Sequence, residues 1–207
     1  MKILELFAGS RSIGKEAEAL GHEVFSVDIE DFEGIDYVTD IMDFDSINVP
    51  FIPDVIWASP PCTSFSVASI GRHWNKDRTP KTDNAIKGMN MVKKTLEIID
   101  HYTWHNPRLY YYIENPRGML RKMEFMQSLV MKTVTYCQYG DDRMKPTDIW
   151  TNNDNWIPRA MCKNGQPCHV SAPRGSSTGT QGLKNNYERS KIPRELCREV
   201  ISSTHNF

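Results

Sequence analysis

Short apolar runs that each stop at a polar residue, with helically spaced stretches between them, set the strongest limit on what this chain can fold into. Residues 2–7 form the first run and lead into Gly9, after which residues 12–20 place Ile13, Ala17 and Leu20 on one helical face closed by Gly21. Residues 23–28 alternate and end in Asp28, residues 37–40 end in Asp40, and residues 54–59 are apolar enough for the middle of a sheet. Ala85, Met89, Val92, Leu96 and Ile99 step by fours and threes, which predicts an amphipathic helix before a strand at residues 109–113. A helix is expected over residues 118–129, strands over 133–138 and 148–151, and a last helix over 193–203. This alternation predicts an α/β fold with a mainly parallel sheet and helices on both faces.

At 207 residues and 39% apolar content, the chain fits one globular domain over residues 1–207. Residues 152–186 are rich in Gly, Pro, Ser and Asn and read as an irregular insertion. No apolar run approaches membrane-spanning length and the N-terminus meets an acid early, so the expected location is the cytoplasm, with no membrane partner. Five cysteines at irregular spacings argue against a disulfide framework. Net charge is only −1, yet its distribution is lopsided: residues 23–45 hold nine acids and no Lys or Arg, whereas Arg72, Lys76, Arg78, Lys81 and Lys87 face only Asp77 and Asp83. A basic loop that also carries His73 and Trp74 could grip a phosphate backbone and stack on a base.

In open α/β sheets, ligands bind outside the carboxyl ends of the strands, and there the sequence places Gly9, Asp28, Asp40, Cys62 and Glu114. Pro60 and Pro61 withhold backbone donors and stiffen the turn, presenting the Cys62 thiol at a strand end. The turn from Phe7 to Gly14 puts Arg11 where a dinucleotide fingerprint needs its second glycine, which counts against NAD. S-adenosylmethionine lacks a pyrophosphate and tolerates a side chain there; it would offer a carboxylate to the helix N-terminus. Asp28 would accept from its ribose hydroxyls and Asp40 from its adenine amino group. The residues assigned to this cofactor are Phe7, Gly9, Ser10, Arg11, Ser12 and Ile13 in the turn, Asp28, Ile29, Asp40 and Ile41 at the next strand ends, and Pro60.

These motifs together resemble the DNA cytosine-5 methyltransferases, of the short kind common in phages. Phe7-Ala8-Gly9 is similar to that family's first cofactor motif, Pro61-Cys62 to its nucleophile motif, Glu114-Asn115 to its acid motif, and residues 190–201 to its C-terminal motif. The resemblance implies that the Cys62 thiolate adds to C6 of a cytosine flipped out of DNA, making C5 nucleophilic enough to take a methyl group. Glu114 would hold N3 and the exocyclic amine, Asn115 is counted beside it among the catalytic residues, and Arg143 or Lys145 would stand in for the family's arginine pair. Pro61 would contact the substrate beside the nucleophile, and Ser64, Arg72, Trp74, Lys76 and Arg78 would contact it from residues 63–83, the segment in the place of the family's mobile active-site loop. No residue is assigned to remove the C5 proton.

Two departures matter. Thr63 and Ser64 stand where many members carry Gln, and residues 150–187 are too few for a target recognition domain, so specificity should be low, very short or supplied by a partner protein. Cys162 and Cys168-His169 invite a zinc reading, but no Cys-x-x-Cys knuckle and no obvious fourth partner are near, so no metal is expected. Alternatives are an RNA (tRNA) cytosine-5 methyltransferase, a catalytically silent nucleic-acid-binding accessory protein of the same fold, and a nucleotide-level pyrimidine enzyme using a similar thiol addition.

Overall fold

The computed structural model describes residues 1–163, 165–171, 183 and 185–204. Seven strands form one sheet: β1 (Lys2–Leu6), β2 (Glu23–Asp28), β3 (Tyr37–Val38), β4 (Val55–Ala58), β5 (Tyr110–Pro116), β6 (Met131–Thr135) and β7 (Pro146–Thr151). Their order is β3-β2-β1-β4-β5-β7-β6, and only the pairings made by β7 are antiparallel. The chain leaves β1 toward β2 and β3, then crosses back to place β4 on the other side of β1. That reversal opens a crevice at the carboxyl ends of β1 and β4, the place where open α/β sheets hold ligands.

Period-2 alternation divides the core between the two faces of the sheet. Ile3, Val55, Trp57 and Tyr112 point to one face, where α1 (Ser12–Ala19) and α5 (Arg194–Ser202) cover them with Ile13, Ala17, Leu196 and Val200. Leu4, Leu6, Ile56, Ala58 and Ile113 point to the other, beneath Ala85, Val92, Ile99 and Tyr102 of α3 (Asp83–His105). Thr82 starts α3 as its N-cap, its side chain accepting from the Ala85 N–H. Two short helices complete the set among the described residues, α2 (Ile70–His73) and α4 (Asn186–Ser190). No described helix is long and apolar enough to cross a membrane.

The helix expected over residues 118–129 is absent; two 3₁₀ turns, Leu120–Lys122 and Glu124–Met126, take its place. Three contacts explain why. The Met119 N–H donates to the Phe65 carbonyl at 2.7 Å, drawing the segment against the loop after Cys62. Gly118 lies so near that loop that a Cβ would fall 2.2 Å from the Phe65 carbonyl oxygen. Arg121 reaches the fully buried Asp148 of β7 through Nε (2.9 Å) and a second nitrogen (2.5 Å), an anchor a continuous helix would have to abandon. In the expected insertion, described residues from 152 to 185 carry neither helix nor strand, while residues 164, 172–182 and 184 lie outside the described residues. Its first part is nonetheless packed: Trp156 is buried against Tyr112 and donates to Glu199 Oε1 at 3.1 Å.

Candidate active site

A cavity of about 640 Å³ occupies the crevice. Phe7, Gly9, Ser10, Ser12, Asp28, Ile29, Asp40, Ile41 and Pro60 line one half of it, and Pro61, Cys62, Glu114, Lys145 and Arg189 the other. A second hollow, about 650 Å³, lies at the amino-terminal ends of the strands beside Met1, Asp54 and His105, away from every predicted site residue.

The first half is shaped by a turn in which Phe7 (φ 55°), Gly9 (φ 48°) and Arg11 (φ 54°) all take the left-handed conformation. For a bulky residue such as Phe7 that is strained backbone, held here by its neighbours. The Ala8 N–H donates to the Val27 carbonyl (3.0 Å), and the Arg11 N–H to the Ala8 carbonyl (2.7 Å). Asp28 completes the brace: one carboxylate oxygen accepts the Gly9 N–H at 2.8 Å and the other the Glu30 N–H at 3.0 Å. Asp40 likewise accepts from the Met42 N–H at 3.0 Å while lining the cavity.

Glu5 underlies this turn, and sequence reasoning passed it over. Its buried carboxyl accepts from the Ile13 N–H (3.1 Å), the Gly14 N–H (3.2 Å) and Ser26 Oγ (3.1 Å). Burial pushes its pKa up to about 7, against the pull of those hydrogen bonds and of Arg11. Gly14 is required by this contact, since a Cβ there would fall 2.6 Å from Glu5 Oε2. The signal available was an acid placed second from the end of an otherwise apolar strand. Because Glu5 occupies the first donors of α1, a cofactor carboxylate would meet Ser10 and Ser12 at the cavity wall instead.

Two residues assigned to the cofactor do not line the cavity. Arg11 is buried away from the cavity, with Nε donating to Ser26 Oγ at 3.0 Å and the guanidinium paired with Glu18. Ile13 is a core residue between α1 and the sheet.

The half that holds Cys62 and Glu114 is assembled from distant parts of the chain. Asn115 Nδ2 donates to the Pro60 carbonyl at 2.9 Å, pinning the Pro-Pro-Cys turn to β5, while its Oδ1 is buried without a hydrogen-bond partner among the described residues. Asn115 therefore serves as a positioning residue. The Cys62 carbonyl accepts from the Phe65 and Ser66 N–H groups, each at 3.0 Å, closing the turn beyond the thiol. Glu114 is buried and accepts from the Tyr136 hydroxyl at 2.9 Å. Burial and the adjacent Glu114 hold that hydroxyl well above the usual tyrosine range, so it acts as a donor. Lys145 Nζ lies 4.7 Å from the Tyr136 ring centroid and donates to the Arg189 carbonyl at 3.3 Å. Burial raises the Cys62 thiol above the ordinary range; Lys145 pulls it down, Glu114 pushes it up, and Arg189 pulls it down.

Arg143 is not in the cavity. Its guanidinium is buried against Asp141 and donates to the carbonyls of Arg189 (3.0 Å) and Lys191 (3.1 Å), so it holds the segment that delivers Arg189. Lys145, the other candidate for the role, lines the cavity. Sequence reasoning missed Tyr136 and Arg189, whose positions depend on long-range packing.

The loop after Cys62 also departs from expectation. Trp74 is buried, stacked on Phe65 with centroids 5.6 Å apart, and its Nε1 donates to the Ser64 carbonyl at 2.7 Å. It anchors the loop and offers no face to a base. Ser64 is buried as well, against α3 beside Gly88. Arg72, Lys76 and Arg78 are exposed, outside the cavity, while Ser66, Val67, Ala68 and Arg117 border its mouth.

No protein-family model matches the chain. It is 29% identical over 221 residues, 97% of this chain and 99% of the relative, to a Frog virus 3 (isolate Goorha) protein named "Probable DNA (cytosine-5)-methyltransferase". Two solved structures share the fold. One, from E. coli, is described as a "putative DNA modification methyltransferase encoded within prophage" (TM-score 0.53, 13% identity, 83% of this chain, 57% of that one). The other is DNMT2 of Spodoptera frugiperda (TM-score 0.50, 18% identity, 80% of this chain, 57% of that one). The chain thus spans little more than half the length of either.

Proposed function

We infer that this chain is a DNA (cytosine-5)-methyltransferase, the activity that its near full-length viral relative is named for and that its cavity suits chemically. The observation that carries the reading is one cavity lined by a thiol and a buried carboxyl on one side and by two acidic acceptors on the other. S-adenosylmethionine fits the second side: Asp28 and Asp40 accept from hydroxyl and amino groups, Phe7, Ile29 and Ile41 provide apolar walls, and Ser10 and Ser12 can donate to a carboxylate. When bound, it supplies the methyl group from its sulfonium.

The chain's own residues prepare the base. The Cys62 thiolate adds to C6 of cytosine, and the electron pair of the C5–C6 double bond moves so that C5 becomes nucleophilic. Glu114 hands a proton to N3 as negative charge develops there and accepts from the exocyclic amine, and Tyr136 keeps its carboxyl oriented. After methylation, loss of the C5 proton and cleavage of the C6–S bond restore aromaticity and free Cys62. The cytosine must leave the duplex to reach a thiol this recessed. Lys145 and Arg189 favour the thiolate and stand ready for a phosphate.

Sequence specificity is proposed to be low or very short, or supplied by a protein partner, because described residues between β7 and α4 build no further helix or strand. Incubation with plasmid DNA and S-adenosylmethionine, read by bisulfite sequencing, should show 5-methylcytosine at many short contexts. A single long recognition site would refute the specificity reading. Absence of 5-methylcytosine in DNA, with methylation of tRNA in a parallel reaction, would refute the substrate.

A further inference from the structure

We propose that Cys137, Cys162, Cys168 and His169 bind one zinc ion that staples the irregular segment after β7 to the end of β6. The sequence alone offered three of these ligands. The fold supplies the fourth: Cys137 lies in the 3₁₀ turn Tyr136–Tyr139 that follows β6, and the four ligand atoms lie within 4.8 Å of one another. The sulfurs of Cys162 and Cys168 are 3.2 Å apart, and His169 Nδ1 is 3.6 Å from each. A tetrahedral zinc with bonds of about 2.3 Å to sulfur and about 2.0 Å to nitrogen puts its ligand atoms roughly 3.5–3.8 Å apart. Three soft sulfurs and one imidazole also form the donor set that selects zinc.

The surroundings orient these groups. The Cys162 N–H donates to Thr135 Oγ1 at 2.8 Å, and the Val170 N–H to the Asp142 carbonyl at 3.0 Å, fixing both ends of the ligand-bearing loop against the β6–β7 connection. Gln138 Nε2 donates to the Cys168 sulfur at 3.5 Å, a contact that supports a thiolate. His169 turns Nδ1 toward the sulfurs while Nε2 is buried without a hydrogen-bond partner among the described residues. Cys137 and Cys162 are buried and Cys168 is exposed, so an ion can enter from solvent.

Four protein ligands leave no open position, which makes the site structural, and none of the four lines the cavity that holds Cys62. Binding displaces three thiol protons and leaves the cluster with a net charge of −1. Its purpose follows from the local structure: described residues 152–163 and 165–171 form no helix or strand, and a metal cross-link can order such a stretch where a core cannot. The effect extends toward the active site. Asp142, which holds Val170, adjoins Arg143, and Arg143 holds the carbonyls of Lys191 and of Arg189, which lines the cavity.

The test uses the full chain purified under reducing conditions without chelator. Elemental analysis should find one zinc per chain. Cobalt added to stripped protein should give a sulfur-to-cobalt charge-transfer band and the intense visible bands of a tetrahedral site. Cys137→Ser and Cys168→Ser should each reduce bound metal at least about tenfold, whereas Cys62→Ser retains one equivalent. Cys168 is exposed, so its variant tests the site even if Cys137→Ser fails to fold. Zinc-free wild type with no thiolate band on cobalt addition, an unchanged band in Cys168→Ser, or a Cys162–Cys168 disulfide in protein kept reduced would each overturn the proposal.

Discussion

The two halves of the cavity are built on opposite principles. In the turn between β1 and β2, polar groups already have partners: Asp28 accepts two backbone N–H groups and Glu5 accepts three hydrogen bonds. Around Cys62 the demands are unmet. The thiol is pushed up by burial, and the Asn115 Oδ1 has no hydrogen-bond partner among the described residues. On the proposed function, the half that binds the cofactor can be finished before the ligand arrives, whereas the half proposed to make and break a bond to the base must keep capacity for charge that appears only in the reaction.

Substitutions should separate the halves by kind as well as by size. Cys62→Ala should lower turnover by roughly 10⁴-fold or more, and Glu114→Gln by about 10²–10³-fold, both with little change in cofactor affinity. Isothermal titration with S-adenosylmethionine checks the second clause; a tenfold weaker affinity in either variant would blur the division. Trp74→Ala should reduce stability by about 3–5 kcal/mol in denaturant unfolding, since it empties a packed site against Phe65. If it instead folds normally and loses only DNA affinity, the buried-anchor assignment is wrong.

Glu5 makes the finished half sensitive to pH. The unfolded chain releases this proton near 4.5, whereas the folded chain keeps it until about 7, so the folded state binds more protons between those values and stability declines as pH rises through them. The decline attributable to Glu5 is about 3 kcal/mol. Unfolding midpoints of Glu5→Gln should lose that slope, whatever their offset; an unaltered slope would remove Glu5 as its source. Asp28→Ala should weaken S-adenosylmethionine binding by about tenfold while nearly preserving kcat at saturation, because it removes both an acceptor and the brace on Gly9. Equal loss in kcat would show that the two halves are not separable.

How much of this was legible depends on the range of the contacts. Strands, their polar ends and the helices of regular spacing follow from local pattern, which is why Gly9, Asp28, Asp40, Cys62 and Glu114 could be placed on one face before any coordinates. What the pattern hides is tertiary. Trp74 reads as a base-stacking aromatic in a basic loop, yet Phe65 and the Ser64 carbonyl claim it. Residues 118–129 have helical spacing, yet Gly118 and Arg121 are drawn to partners on other elements. Arg143 and Lys145 are two residues apart, but only the packing of the C-terminal segment sends Lys145 inward and Arg143 to carbonyls. Cys137 lies too far along the chain from Cys162 for spacing to join them.

The central claim is that Cys62 is the nucleophile toward cytosine. An oligonucleotide containing 5-fluorocytosine tests it most directly, because fluorine at C5 blocks the proton loss that releases the enzyme. With S-adenosylmethionine present, denaturing electrophoresis and mass spectrometry should find a stable protein–DNA adduct mapped to the Cys62 peptide and absent from Cys62→Ala. No adduct in wild type that methylates unmodified DNA, or an equal adduct in Cys62→Ala, would contradict the account.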